Sequence, residues 1–195
     1  MLDPREGELI ARSQRGDASA FDALVRSHYT LAYNVAFRLL SDADAASDAT
    51  QAAFVRAFRS IKNFRHTAAF STWLYRIVTN VCLDSIRQRE RSALSLTLLS
   101  DEDDDGQQER DIPDGSGDPA QALERAEVQE LVQAALRRLS ADHRAVLVLY
   151  DLQGFSYEEV SAVLQLPLGT VKSRLNRARH ALKEEIATWG ELSQP

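Results

Sequence analysis

The chain has 195 residues, of which 44% are hydrophobic, so it can form packed cores and is not expected to be disordered throughout. It contains no apolar run of the roughly 20 residues needed to cross a bilayer, no apolar export signal at the N-terminus, and one cysteine, Cys82, which excludes an internal disulfide framework. We therefore expect a cytoplasmic protein that is not inserted in a membrane.

The net charge of −6 argues against a nucleic-acid partner until its distribution is considered. Residues 56–91 carry eight bases and two acids, and residues 168–183 carry five bases and no acid. Between them, residues 100–118 carry nine acids and one base. Two basic segments are thus hidden in the whole-chain sum, and each is a candidate contact for nucleic acid.

The first half predicts helices, as the low content of glycine and proline also does. Helical spacing of apolar residues begins after Asp17, a candidate N-cap, and continues to Leu40. Ser41 and Asp42 interrupt it, and a second helix is expected at about 43–60. We found no convincing strand alternation anywhere in the chain, so the predicted fold class is all-α, with two small helical domains.

A third helix is expected at about 68–91, with Phe70, Leu74, Ile77 and Val81 as its inward stripe. Aromatic, cationic and neutral polar side chains are interleaved along this stretch and the loop before it. The candidate surface residues are Phe64, Arg65, His66, Phe70, Ser71, Trp73, Arg76, Asn80 and Arg87. Rings for stacking, an amide for a base edge and cations for the backbone are typical of a single-strand binding surface. The alternative is that the aromatics serve the core, above all Phe70 and half of Trp73.

Residues 93–119 are predicted to be a flexible acidic linker, because the stretch 100–118 within them is punctuated by Gly, Pro and Ser and contains one sizeable apolar side chain, Ile112. The domains are therefore expected at 5–92 and 120–188. In the second domain we expect helices at about 121–139, 142–152, 156–164 and 168–188. Ser156 and Glu159 form a capping-box pattern, and Pro167 suits the first turn of the next helix, so the last two helices predict a helix-turn-helix.

The last helix has distinct faces when its residues are placed about 100° apart. Its core stripe is Val171, Leu175, Ala178 and Leu182. Its outward ridge is Thr170, Ser173, Asn176, Arg177 and His180, and its flanks carry Lys172, Arg174 and Arg179. A hydrogen-bonding ridge bordered by cations is what a major-groove reader requires. The alternative is an ordinary solvated amphipathic helix.

Enzymatic activity is not expected. The four histidines are scattered, Cys82 has no local His or Cys partner and is best placed in the core, and there is no phosphate loop or nucleophile motif. The acids of 101–105 lack the Gly and distal Glu of a calcium loop. We expect no cofactor, no metal and no small-molecule substrate.

Three stretches together resemble the extracytoplasmic-function (ECF) sigma factors of the bacterial sigma-70 family. Residues 45–54 read Ala-Ala-Ser-Asp-Ala-Thr-Gln-Ala-Ala-Phe, and residues 70–77 read Phe-Ser-Thr-Trp-Leu-Tyr-Arg-Ile. Residues 154–179 contain Gly-Phe-Ser-Tyr-Glu-Glu and Pro-Leu-Gly-Thr-Val-Lys-Ser-Arg, which match the family almost letter for letter. The resemblance covers most of the chain, and the last motif is highly specific.

The resemblance implies a role for each surface. One helix would dock on the β′ clamp helices of core RNA polymerase through Asp48, Gln51, Phe54, Val55 and Phe58. The loop from Asn63 to Ser71, with Asn80, would read the flipped-out base of the minus-ten element and hold the melted strand. Lys172, Ser173, Asn176 and Arg177 would read the minus-thirty-five element as duplex, with Arg174 and Arg179 on phosphates. The apolar surface of the second domain would meet the β flap, and an anti-sigma factor would control the protein in a stress response.

Some residues depart from the family pattern. Ala52 replaces a usual Glu, and Ala46 and Ser47 replace the Ala-Glu start of the clamp-binding motif. The loop sequence 66–68 is atypical, which leaves the preferred base open. The acidic linker either mimics nucleic-acid charge in polymerase channels or is only a tether. A DNA-binding regulator that acts without polymerase is the alternative function, but it would not explain the aromatic-basic surface or the helix around Asp48.

Overall fold

The computed structural model describes residues 4–97 and 119–192, and the side chains of residues 5–92 and 128–188. Within these ranges every regular element is helical, which confirms the all-α prediction. In the same ranges no helix is long and apolar enough to span a bilayer. The acidic stretch 100–118 lies outside the described residues.

The first half of the chain forms four helices and one short 3-10 turn. They are α1 (Pro4–Gln14), α2 (Ala18–Leu40), α3 (Ala43–Ser60), the 3-10 turn Ile61–Asn63, and α4 (Phe70–Thr97). Asp17 caps α2 by accepting a hydrogen bond from the Ala20 amide at 3.1 Å, as predicted, and Asp42 caps α3 in the same way. Helix α1 was not predicted, and α4 continues six residues beyond the expected end at 91, into the predicted linker.

The second half forms four helices, one of which ends in a wider turn. They are α5 (Pro119–Arg138), α6 (Ala141–Leu147) continued by the π-helical turn Val148–Leu152, α7 (Tyr157–Leu164) and α8 (Leu168–Leu192). The single regular helix predicted at 142–152 is therefore wrong in its second half. There the Gln153 amide donates to the Val148 carbonyl, five residues earlier, at 3.0 Å.

The core of the first half lies among α2, α3 and α4. Phe70 and Leu74 from the predicted stripe are fully buried, whereas Ile77 is only partly buried. Cys82 is also fully buried, as expected of a small apolar side chain, and burial raises the pKa of its thiol to about 12. The thiol therefore stays protonated and inert at neutral pH.

The two halves pack against each other where α2 ends. Gln133 of α5 donates to the Arg38 carbonyl at 3.2 Å and to the Ser41 hydroxyl at 2.7 Å. Arg144 of α6 donates to the carbonyl of Leu39 at 2.6 Å, and it also reaches two carbonyls of its own domain. A cation at a helix C-terminus satisfies orphan carbonyls and complements the helix dipole. Polar side chains of the second domain thus cap a helix of the first.

Candidate nucleic-acid interfaces

The helix-turn-helix forms as its sequence predicts. The Ser156 hydroxyl accepts from the Glu159 amide at 3.2 Å, and the Glu159 carboxylate accepts from the Ser156 amide at 2.8 Å, which completes the capping box. Gln165 ends α7 in the left-handed region with φ 55, and the Ser161 hydroxyl donates to the Leu166 carbonyl. The turn is therefore short and held by side-chain hydrogen bonds, so α8 starts in a fixed direction.

Helix α8 separates a buried stripe from an exposed ridge. Val171, Leu175 and Ala178 are buried, which matches the predicted core stripe. The candidate readers on the other side are all exposed except Thr170, which is half-buried. They are Lys172, Ser173, Asn176 and Arg177, with His180 beside them. The ridge can therefore enter a groove without rearrangement of the core.

Two of the predicted phosphate contacts are already engaged within the second domain. Arg174 forms an ion pair with Asp142 at 2.9 Å, and its side chain is 25% exposed. Arg179 holds the carboxylate of Asp151 through two hydrogen bonds, one of them from Nε at 3.0 Å. The hydrogen bond to that carboxylate raises the pKa of Arg179. Both cations thus tie α8 to preceding elements, and their charges are partly neutralised where a phosphate would bind.

The predicted single-strand surface is a composite of a loop and one flank of α4. Asn63, Arg65 and His66 are exposed in the loop, and Arg76, Asn80 and Arg87 are exposed on α4. Trp73 and Ser71 are half-buried. Amide, cations and one partly open indole therefore lie on the same stretch of α4, as the spacing predicts.

Two aromatic rings predicted for this surface are buried in the core instead. Phe64 is 5% exposed and Phe70 1% exposed. Their rings contact each other at 5.7 Å between centroids, and Phe64 also packs against Trp73 at 5.2 Å and His66 at 4.7 Å. They support the exposed residues from beneath but are not available for a base to stack on. The core alternative weighed for Phe70 is the one that the structure favours.

The loop is held by a residue that sequence reasoning missed. Gln14, the last residue of α1, donates from Nε2 to the carbonyl of Phe64 at 2.9 Å and to that of Ile61 at 3.2 Å. His28 of α2 packs against the Phe70 ring at 5.3 Å. No local pattern joins residues some fifty positions apart. The apolar pair Leu9 and Ile10 was the only sign that α1 would pack on the domain.

An apolar groove of about 630 Å³ lies between α2 and α3. Tyr29, Val55 and Phe58 are each more than 40% exposed there. The residues that line the groove are Ala18, Phe21, Asp22, Val25, Tyr29, Ser47, Gln51, Phe54, Val55 and Phe58. A contiguous exposed apolar patch with a polar rim is typical of a protein-binding surface. Four of the five predicted docking residues line it, and Asp48 is exposed on the same helix.

A smaller apolar groove of about 260 Å³ opens on the second domain. It is lined by Val132, Leu136, Leu147, Asp151, Leu152, Arg179, Leu182, Lys183 and Ile186. These residues come from α5, from α6 and its π-helical turn, and from α8. Each half of the chain therefore has an exposed polar surface suited to nucleic acid and an apolar groove suited to protein.

Comparison with known families and proteins gives consistent matches along the chain. Residues 24–92 match Sigma-70 region 2, and residues 129–182 match Sigma-70, region 4. The RNA polymerase sigma-H factor of Pseudomonas aeruginosa is 34% identical over 186 residues, covering 95% of this chain and 96% of its own. The ECF RNA polymerase sigma-E factor of Escherichia coli is 32% identical, covering 91% of this chain and 92% of its own.

Two solved structures have a fold similar to that of this chain. The sigma factor RpoE of Bartonella quintana, in complex with the anti-sigma factor NepR, has a TM-score of 0.66 and 27% identity, covering 86% of this chain and 96% of its own. CnrH, in complex with the cytosolic domain of CnrY, has a TM-score of 0.64 and 25% identity, covering 95% of this chain and 99% of its own.

Proposed function

The chain belongs to the ECF sigma factors of the sigma-70 family, and on that premise we propose how it divides promoter recognition between its two halves. Members of this family direct transcription initiation and are not enzymes. We propose that α8 reads the minus-thirty-five element as duplex and that α4 with its preceding loop captures the minus-ten element as melted strand. Both would act while the chain is bound to core RNA polymerase in the cytoplasm.

The observation that carries this proposal is the clean separation of faces on α8. Its readers are exposed, and its apolar stripe is buried, so hydrogen-bond donors can reach base edges without loss of packing. Arg177 is exposed on this ridge, and a bidentate contact of an arginine with a guanine contributes about 1–3 kcal/mol of discrimination. Lys172, Ser173 and Asn176 would complete the duplex contact, with Thr170 at its edge.

Capture of the separated strand is supported by the composition of the α4 surface. Asn80 offers an amide for a base edge, and Trp73 and His66 offer the exposed ring surface. Arg65 and Arg76 add positive charge for the backbone. Stacking on an aromatic side chain contributes about 1–3 kcal/mol per base, which offsets the few kcal/mol needed to unstack a base from duplex.

The apolar grooves are the proposed contacts with polymerase. The groove between α2 and α3 would receive the β′ clamp helices, because its exposed aromatics are costly to leave in water. Gln51 and Asp48 would provide the polar contacts, and Ala52 is exposed on the same helix. The smaller groove of the second domain would receive the β flap.

An anti-sigma factor is a proposed partner, and release from it in a stress response is the proposed control. The support is that one structural relative was solved with the anti-sigma factor NepR and the other with the cytosolic domain of CnrY. We propose that this partner covers the same apolar grooves as polymerase, so that the two would exclude each other.

Reconstituted transcription tests the proposal. Purified core polymerase plus this chain alone should produce run-off transcripts from promoters recovered by sequencing the DNA that the holoenzyme binds. Core polymerase without the chain should produce none. A requirement for a second sigma factor would contradict the proposal and favour a regulator that acts without binding polymerase.

A further inference from the structure

Two tyrosines connect the recognition helix to the elements before it. Tyr150 lies in the π-helical turn Val148–Leu152, and Tyr157 is the first residue of α7. Their ring centroids are 4.4 Å apart, with an angle of 30° between the ring planes. A hydrogen bond with the Tyr157 side chain raises the pKa of Tyr150. The two rings therefore pack directly against each other.

Each tyrosine ring carries a cation from α8 on its face. Lys172 Nζ lies 5.4 Å from the centroid of Tyr157, and the guanidinium of Arg179 lies 5.5 Å from that of Tyr150. Positions 172 and 179 are about two helical turns apart, so both cations project from the same flank of α8. The two neighbouring rings thus each contact one cation, and both cations come from the same face of α8.

An ion pair with Asp151 fixes the Arg179 end of this arrangement. Asp151 follows Tyr150 directly and holds Arg179 through two hydrogen bonds. Consecutive residues of the π-helical turn therefore contact the same guanidinium, one through a ring face and one through a carboxylate. We call Asp151, Arg179, Tyr150, Tyr157 and Lys172 the aromatic ladder. Lys172 is its outer end, next to the exposed readers of the ridge.

We propose that Tyr157 and Tyr150 are positioning residues for duplex recognition, which restrict Lys172 to the orientation that contacts the promoter. This inference rests on the proposed function, because it assigns the ladder to the minus-thirty-five contact. A lysine side chain is long and flexible, and its loss of rotamer freedom on binding opposes affinity. A ring beneath the ammonium group reduces that loss before DNA arrives.

A double-mutant cycle on the holoenzyme tests the inference. The probe is a fluorescein-labelled duplex carrying the upstream element recovered from holoenzyme-bound promoters, with a scrambled duplex as competitor. Tyr157→Leu should lower the ratio of specific to non-specific affinity about two- to five-fold, the range expected for one exposed cation–π contact. Tyr157→Phe keeps the ring and should stay close to wild type. In a Lys172→Ala background, Tyr157→Leu should have no further effect.

The outcomes separate the ladder from the function on which it rests. If Lys172→Ala leaves discrimination unchanged, the assignment of Lys172 to the duplex contact is wrong, and the ladder's role falls with it. If Lys172→Ala lowers discrimination but Tyr157→Leu does not, only the ladder is overturned. An equal loss from Tyr157→Leu with and without Lys172 would mean that Tyr157 is merely structural.

A second measurement does not depend on DNA. The chain has three lysines, Lys62, Lys172 and Lys183, so after reductive methylation with ¹³C-formaldehyde each dimethylamine signal can be assigned by substitution with Arg. The Lys172 signal should be shifted upfield by the ring of Tyr157. That shift should persist in Tyr157→Phe and disappear in Tyr157→Leu. An unshifted Lys172 signal in the wild-type chain would overturn the inference.

Discussion

The two proposed nucleic-acid surfaces are built in different ways. The proposed duplex surface is one face of one helix, where Asn176 and Arg177 are exposed and the core residues Leu175 and Ala178 lie on either side of them in sequence. The strand surface is assembled from a loop and α4, and its supporting rings Phe64 and Phe70 belong to the core. In the second half of the chain the exposed readers are thus separate from the core, whereas in the first half core rings directly support the exposed readers.

This difference agrees with the targets proposed for the two surfaces. A groove of duplex is a rigid target that a rigid polar ridge can match. A melted strand has to be held by stacking, which needs aromatic surface, and aromatic surface is stable in water only when most of it is buried. Loss of a buried ring beneath the strand surface should therefore lower stability, whereas changes to the exposed residues of either surface should not.

The largest expected effect is the loss of stability in Phe70→Ala. Removal of a fully buried ring leaves a cavity beneath Trp73, and we expect the free energy of unfolding to fall by about 3–5 kcal/mol. Urea denaturation followed by circular dichroism measures it. Asn80→Ala, on the exposed flank of the same helix, is the control and should change stability by less than about 0.5 kcal/mol. Similar losses in the free energy of unfolding for the two variants would contradict the supporting role of the buried rings.

The contact between the two halves should be sensitive to Arg144. Arg144→Leu would leave the buried Leu39 and Leu139 carbonyls without this donor, and we expect a loss of about 2–3 kcal/mol in the free energy of unfolding. Arg137→Leu, an exposed position of α5, removes the same charge and should be close to neutral. Thermal denaturation compares them. Equal melting temperatures would mean that the capping of α2 by Arg144 contributes nothing to stability.

Arg177→Ala should affect binding without affecting stability. We expect a loss of about 1–3 kcal/mol in discrimination for the upstream duplex, with the melting temperature unchanged. Competition binding by the holoenzyme measures the first quantity. Arg26→Ala, an exposed arginine of α2, controls for the loss of charge. If the melting temperature and the discrimination both fell, recognition and stability would not be separable on α8.

The smallest effect is expected for Arg179→Gln. Because Asp151 already holds Arg179, we expect the slope of log affinity against log salt concentration to stay unchanged, whereas a lost phosphate contact would reduce it by about 0.9. The ion pair is half exposed, so its loss should cost at most about 1 kcal/mol of stability. A reduced slope would instead show that Arg179 contacts a phosphate.

The contrast between a surface on one helix and a surface built from several elements also determines how much the sequence could predict. The ridge of α8 was predictable because periodicity within one helix places Val171 inward and Asn176 outward, whatever the rest of the chain does. The strand surface was predictable only as a composition. The burial of Phe64 and its hydrogen bond with Gln14 depend on helices that are distant in sequence, and periodicity carries no information about such contacts. The groove residues Phe21 and Tyr29 were missed for the same reason, since they face α3 from another helix.

The contacts between the two halves were equally hidden. Gln133 is fully buried, which no polar residue in a helical pattern would suggest, because its partners are the carbonyls at the end of α2. The π-helical turn is also a tertiary effect. Its sequence, Val148–Leu152, reads as ordinary helix, and in the structure Tyr150 and Asp151 of this turn contact Arg179 of α8.

The most direct test of the central division is footprinting of promoter DNA bound by core polymerase and either variant, with DNase I for protection of the upstream duplex and permanganate for melted thymines. Asn80→Ala should still protect the upstream duplex but should lose the reactive thymines of the melted region. Arg177→Ala should lose protection of the upstream duplex, and both variants should bind core polymerase as the wild type does. Gln88→Ala on α4 is the control for a neutral surface change. If both variants instead lost affinity for core polymerase to the same extent, the assignment of duplex to one half and separated strand to the other would be contradicted.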